Sequence, residues 1–340
     1  MAALFFVFYL LLPAACLIGV RKRRLSDSLD HELSEELRGL GMLLIVMAHA
    51  VKSTDNYATF FFFVSAILGV GACFLLSGYG LYKSLKAKTG YLDHFLGKKF
   101  SRVLIPFVLL FLLSLFFDWI HGDELRLRDI LLNFVTLRFE GSLLWYLKIQ
   151  LLLYVFFFLA FRFFSGSRAI AAVFVLTVSY IVISACCGLK SYWYNTCLFF
   201  PLGVLLARYD YAVLPVITKK TCVAVSSVIF VLLFCFIFFF GRLNLEYLID
   251  TAYILTFLAA AIGFFSYWRG SRVLSFFGKR SMEVYLIHTL LLKRDLFGIF
   301  SPEKAWTYLL LLGATALAGW LLFPIDNWLA KKLLPERKAL

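Results

Sequence analysis

Blocks of about 20 apolar residues recur along the whole chain, and this recurrence restricts it to folds that cross a membrane. Of the 340 residues, 62% are hydrophobic and only 16% are charged, whereas soluble domains carry about 25% charged residues. The longest polar stretches reach about 20 to 25 residues, which is too short for a second domain. We therefore predict an all-α polytopic membrane protein with about eleven transmembrane helices.

The distribution of basic residues predicts how these helices are oriented in the bilayer. We place the spans at residues 2–20, 37–51, 60–82, 104–120, 143–161, 169–188, 196–207, 221–240, 247–267, 281–299 and 305–323. One set of alternate loops then contains 23 Lys and Arg residues, and the other contains nine when residues 293–304 are counted as its last loop. Since basic loops face the cytoplasm, we predict a plasma-membrane protein with its N-terminus outside and its C-terminus inside. The net charge of +14 follows from this topology, and no nucleic-acid partner is predicted.

The first 24 residues are predicted to form a separate N-terminal anchor. The apolar block 2–20 has no basic residue before it and is followed by "RKRR" at 21–24, the pattern of an uncleaved anchor and not of a signal peptide. Residues 25–340 form the second predicted unit. The seven cysteines lie in or beside apolar spans without the spacing of a metal site or of a disulfide framework, so we predict neither.

Two titratable side chains occur in the second predicted span, within "ELRGLGMLLIVMAHA". Arg38 and His49 are separated by ten residues, so on a helix they lie within about 20° of one face and about 16 Å apart along the axis. A snorkelling arginine and a capped histidine explain either residue alone. Because titratable groups in hydrocarbon usually serve a function, we predict that the pair lines one passage, with Arg38 at its cytoplasmic mouth.

A basic stretch, "FLGKKFSRVLIP", precedes the fourth predicted span. It contains Lys98, Lys99 and Arg102 on the same predicted side of the membrane as Arg38. An ordinary cytoplasmic loop has this composition, and so does a site that binds phosphate groups. Both interpretations remain open from these residues alone.

Polar residues also interrupt three apolar stretches, "FLLSGYGLYKS" (74–84), "GSLLWYLKIQLLLY" (141–154) and "KRSMEVYLIHTLLL" (279–292). Small residues in the first stretch favour either close helix packing or space for a ligand chain. An aromatic belt at the membrane interface explains the Trp and Tyr of the second. As candidate pocket residues we name Ser77, Tyr79, Trp145, Tyr146, Glu283, Tyr285 and His288.

Taken in order, these stretches resemble the motifs of the acyltransferase-3 family of integral-membrane O-acyltransferases. Arg38 and His49 match the family's opening Arg-x10-His, and "FLLSGY" is similar to its F-x-x-S-G-[FY] segment. "KKFSRVLIP" resembles R-x-x-R-[IL]-x-P with Lys99 in place of the first arginine, "LWYL" resembles [LF]-W-[FY]-L, and "SMEVYLIH" resembles S-x-x-[IV]-Y-L-x-H. No charged or His residue directly precedes Trp145, where some members carry one.

The resemblance implies a ten-span acyltransferase domain, here residues 25–340, with residues 1–24 as an addition. It implies transfer of an acyl group, most often acetyl, from cytoplasmic acyl-CoA to a hydroxyl of a cell-surface or lipid-linked glycan. His49 would act in catalysis as a base or as an acyl carrier. Arg38, Lys98, Lys99 and Arg102 would bind acyl-CoA, which is a substrate, and no permanently bound cofactor or metal is expected.

A transporter or flippase of a glycan or lipid is the alternative from another functional class. Such proteins also place charged residues and short spans near the middle of the bilayer. A transporter has no need for the Arg38 and His49 arrangement and would bind no acyl-CoA. The sequence leaves the acceptor, the acyl chain and the oligomeric state open.

Overall fold

The computed structural model describes residues 6–22, 29–51, 57–139, 142–241, 246–294 and 304–333. Its helices are α1 (Phe6–Cys16), α2 (His31–Ala50), α3 (Tyr57–Val64), α4 (Ala66–Ala87), α5 (Phe95–His121), α6 (Leu127–Val135), α7 (Trp145–Phe163), α8 (Gly166–Cys186), α9 (Phe199–Ile217), α10 (Lys220–Phe240), α11 (Glu246–Tyr267), α12 (Arg272–Lys279), α13 (Ser281–Arg294) and α14 (Ala305–Leu333). Four two-residue strands form two antiparallel pairs: β1 (Arg21–Lys22) with β4 (Trp268–Arg269), and β2 (Arg138–Phe139) with β3 (Ser142–Leu143).

The lengths of these helices confirm the all-α polytopic fold. Eight helices in the described residues are long and apolar enough to cross a membrane: α3 joined to α4, then α5, α7, α8, α9, α10, α11 and α14. The shorter apolar helices α1 and α13, together with α2, occupy the positions of the remaining predicted spans. Helix α2 differs from the others because a charged first half precedes its apolar second half.

The predicted span 196–207 corresponds to the first part of helix α9, which has a kink with non-helical backbone dihedral angles at Tyr209 and then continues to Ile217. Asp210 directly follows this kink and is buried with two partners. It accepts a hydrogen bond of 2.7 Å from the Tyr79 hydroxyl and lies 2.6 Å from the Lys83 ammonium. Paired in this way, a carboxylate is tolerated inside a protein. The ends of the predicted spans 2–20 and 281–299 lie partly outside the described residues.

Helix α2 is the central helix of the described structure. It begins after Asp30, whose side chain accepts a hydrogen bond of 2.9 Å from the Leu33 N–H, a common helix cap. Every residue from Gly41 to Ala50 is buried except His49. Helices α4, α11, α12 and α13 all pack against α2, so most of its length is enclosed by other helices of the protein.

Close contact between backbones fixes α4 on both sides. Gly69 of α4 lies against Gly41 of α2, and Gly78 lies against the Phe200 carbonyl oxygen of α9. A Cβ atom at either position in α4 would overlap with backbone, so glycine permits the approach. Gly80 has open space beside it. The polar interruption in α4 therefore serves packing at Gly78 and leaves room for another group at Gly80.

A polar network joins the start of α2 to the loop before α12. The side chains of Arg269 and Asp30 form an ion pair. The Glu36 carboxylate accepts hydrogen bonds of 2.5 and 2.6 Å from the N–H groups of Gly270 and Ser271. Beside it, β1 pairs with β4. Two loops that the sequence assigns to the same side of the membrane thus lie together.

Candidate active site

Two cavities meet at Arg38, near the charged end of α2. The narrow cavity has a volume of about 420 Å³, and the wide cavity has a volume of about 810 Å³. The residues that line both are His31, Arg38, Arg102, Ser281 and Met282. Since the two linings share these residues, the cavities form adjoining parts of one site. Volumes of about 300–1,000 Å³ are typical of pockets for small molecules.

Basic side chains surround the point where the cavities meet. Arg102 lines both cavities with Arg38, whereas Lys99 lines the narrow cavity and Lys98 the wide one. The fold thus brings the basic stretch of α5 to the charged end of α2. Lys279 and Lys331 also line the wide cavity, although the sequence showed them only as ordinary residues of basic loops. This arrangement suits a ligand with several phosphate groups.

The narrow cavity has a polar wall built from α4 and α7. The Gln150 side-chain amide donates a hydrogen bond of 3.1 Å to the Ser77 hydroxyl and accepts one of 3.3 Å from the Tyr146 hydroxyl. Ser77, Tyr146, Gln150 and Gly80 all line this cavity. Sequence reasoning missed Gln150, although an uncharged amide within the apolar run of α7 was a signal of such a role.

Tyr285 connects the narrow cavity to a pair of histidines. Its ring lines the cavity and lies 5.2 Å from the Tyr146 ring and 5.6 Å from the His288 ring, centroid to centroid. His288 is buried, and its Nε2 is 2.8 Å from His49 Nδ1. His49 is exposed and is not part of either cavity lining. The predicted passage from Arg38 therefore reaches Tyr285, and His49 lies beyond it.

Hydrogen bonding assigns the tautomers of the two neutral imidazoles. His288 Nδ1 is 3.0 Å from the Val284 carbonyl oxygen, which can only accept, so this nitrogen carries a proton. His288 Nε2 then has a lone pair and accepts the proton of His49 Nδ1. The remaining nitrogen, His49 Nε2, is left with a free lone pair. In this arrangement His49 can take a proton from a substrate.

Tyr79 and Trp145, two of the predicted pocket residues, line neither cavity. The Tyr79 hydroxyl donates to Asp210 and accepts a hydrogen bond of 3.0 Å from the Leu29 N–H. The Trp145 ring packs against the Tyr192 ring at 5.6 Å. The described structure therefore places neither side chain in these two cavities and gives both of them contacts elsewhere in the protein. Glu283, also predicted for the pocket, lines the wide cavity only.

Replacing Tyr79 by phenylalanine is expected to destabilise the protein by about 1–3 kcal/mol, because the buried Leu29 N–H loses its acceptor. Asp210 keeps its ion pair with Lys83, which limits the loss. The test is the thermal unfolding midpoint of the purified protein in detergent. Tyr211→Phe is the matched control, since Tyr211 is 69% exposed on the same helix as Asp210. Equal midpoints for the two variants would contradict the structural role of Tyr79.

Comparison with known proteins gives one result that covers most of the chain. A family model described as "Acyltransferase domain", that of the acyltransferase-3 family, matches residues 35–323. The match includes Arg38, His49 and His288 and begins after α1 and β1. Searches of the curated proteins and of the solved structures found no match. On the extent of the family match, the chain belongs to the acyltransferase-3 family and is a multi-pass membrane acyltransferase.

Proposed function

We propose that this protein transfers an acyl group, most often acetyl, from cytoplasmic acyl-CoA to a hydroxyl of a cell-surface or lipid-linked glycan. One observation carries the proposal: contacts run without a break from the basic cavities at Arg38 through Tyr285 and His288 to His49. Acyl-CoA has groups in the same order as these residues: its phosphate groups at one end match the basic cavities, and its thioester at the other end matches the histidines. We also propose a plasma-membrane location with the basic loops inside.

The proposed donor lies with its phosphates against Arg38 and Arg102. An arginine binds a phosphate through two parallel hydrogen bonds, which fixes its orientation as well as its position. The pantetheine arm occupies the narrow cavity and points toward Tyr285. Arg38 and His49 are about 16 Å apart along α2, a separation comparable to the length of that extended arm.

The proposed chemistry uses His49 as a general base. Its Nε2 takes the proton of the acceptor hydroxyl as the oxygen attacks the thioester carbonyl carbon. The new C–O bond forms, the C–S bond breaks, and the CoA thiolate leaves. The proton on His49 then passes to the thiolate, which restores the neutral imidazole. His288 holds the proton of His49 Nδ1 in place during these steps.

An acyl-CoA binding measurement tests the donor site. Purified wild-type protein is expected to bind acetyl-CoA saturably. The Arg38→Ala substitution is expected to raise the Kd about 10- to 100-fold, because hydrogen bonds to charged groups contribute about 1.5–3 kcal/mol. Arg38→Lys is expected to give an intermediate Kd, because a lysine keeps the charge and loses the paired hydrogen bonds.

Arg126→Ala is the control for loss of a positive charge, since Arg126 is exposed and pairs only locally with Glu124 among the contacts described. Its Kd for acetyl-CoA is expected to equal that of the wild type. Failure of the wild-type protein to bind acetyl-CoA would reject the proposal and favour the transporter alternative.

A further inference from the structure

One wall of the wide cavity carries a carboxylate that the proposed function does not use. Asp326 of α14 is 6% exposed and lines this cavity. Neither of its carboxylate oxygens accepts a hydrogen bond from an N–H group in the described structure, and its side chain contacts the carboxyl group of Glu283. Two buried carboxyl groups in contact can share one proton, but the negative charge that remains is costly without a further donor. A ligand that enters the cavity and donates to Asp326 would remove this cost.

A second acidic residue of this cavity, Glu35, is paired with nearby basic side chains in the described structure, and Asp326 is not. Glu35 lies 3.1 Å from His31 Nδ1 and 3.6 Å from Lys279 Nζ. Asp326 forms no comparable ion pair within the described residues. Its side chain faces the cavity together with the buried Glu283. With one proton shared between the two carboxyl groups, acceptor positions on this wall remain for a ligand.

The remaining charged side chains of the wide cavity set a second requirement on the ligand. Its basic lining residues are Arg38, Lys98, Arg102, Lys279 and Lys331. A simple polyanion would be repelled by the wall at Asp326, and a simple cation would be repelled by the basic residues. The cavity thus fits a molecule with phosphate groups in one part and hydrogen-bond donors in another. Nucleotides have this combination.

The positions of these groups give the orientation of the nucleotide. Arg38 and Arg102 lie where the wide cavity adjoins the narrow one, whereas Phe323 and Asp326 line the wide cavity alone. Phosphates held at the two arginines therefore leave the base facing α14. There the half-buried Phe323 ring has the Arg280 guanidinium over one face at 5.0 Å, and a base can stack on its other face.

We propose that the wide cavity binds the nucleotide end of the acyl donor, with adenine stacked on Phe323 and its exocyclic amino group donating to Asp326. The inference rests on the proposed function, because acyl-CoA is the donor whose nucleotide enters the cavity. It adds that Asp326 selects the base. The acyl group and the acceptor are not affected by this selection.

Binding of CoA and of its deaminated analogue to the purified full-length protein tests this inference. The analogue carries hypoxanthine, which places a carbonyl oxygen where adenine has its amino group. Wild-type protein is expected to bind CoA about 10- to 100-fold more tightly than the analogue. Asp326→Ala is expected to bind both with similar Kd values, whereas the control Asp93→Ala, at an exposed position in a loop, is expected to keep the wild-type ratio.

The outcomes separate this inference from the proposed function. If wild-type protein binds CoA without a preference for adenine, or if Asp326→Ala keeps the preference, base recognition at Asp326 is rejected while the acyl-CoA donor stands. Absence of saturable CoA binding rejects both. An aminophospholipid headgroup also combines phosphate and donor. We therefore expect adenosine 3′,5′-bisphosphate to displace CoA and glycerophosphoethanolamine to leave it bound, and the reverse result overturns the inference.

Discussion

Replacing His49 by alanine is expected to lower the kcat of acyl transfer by about 10²- to 10⁴-fold, the usual contribution of a general base. The Kd for acyl-CoA is expected to stay unchanged, because His49 lies outside the linings of both cavities. A sugar hydroxyl has a high pKa and attacks a thioester slowly unless a base takes its proton. Within the His49–His288 pair, His49 Nε2 is the nitrogen whose lone pair remains free to do so.

The measurement follows labelled acetyl groups from acetyl-CoA into the glycan fraction of vesicles that contain the protein. His94→Ala is the matched control, since His94 is exposed in a loop before α5, and it is expected to keep wild-type turnover. Wild-type turnover in His49→Ala would reject the catalytic role. Labelled acetyl bound covalently to the wild-type protein in the absence of acceptor, and absent from His49→Ala, would show that His49 is an acyl carrier and not a base.

The features that sequence reasoning located correctly depend on local patterns. Apolar blocks identified the spans because the thickness of the bilayer sets their length. The helical period placed Arg38 and His49 on one face of α2, and the structure contains that helix without a break. The basic stretch of α5 was expected on the same side of the membrane as Arg38 because loop charges predict topology. Lys99 and Arg102 do line a cavity with Arg38.

The features that sequence reasoning missed depend on how helices distant in the sequence pack against each other. His49 and His288 are 239 residues apart, and no periodicity within one helix indicates that α2 and α13 meet there. The same limit applies to the hydrogen bonds of Tyr79, which the sequence did not predict. A tyrosine in an apolar span shows that a polar partner is present, and the sequence does not show that the partner is Asp210 of α9. Asp326 lay beyond the last predicted span and gave no signal.

Replacing His288 by alanine is expected to lower kcat about 10²-fold, the cost of a small misplacement of a catalytic group. Without His288 Nε2, the proton of His49 Nδ1 loses its acceptor. The His49 ring is then free to rotate or to carry its proton on Nε2, and either change removes the base from the acceptor hydroxyl. The KM for acyl-CoA is expected to stay constant, because His288 does not line either cavity.

His288→Gln distinguishes this positioning role from a role in packing. A glutamine side-chain oxygen can accept the proton of His49 Nδ1, so this variant is expected to recover much of the lost kcat. If His288 served packing alone, His288→Gln would recover none of the lost kcat. His288 is completely buried, and glutamine fills the space of an imidazole ring poorly. If Gln and Ala lower kcat equally, while both variants bind acyl-CoA with wild-type stoichiometry and so remain folded, His288 does not orient His49.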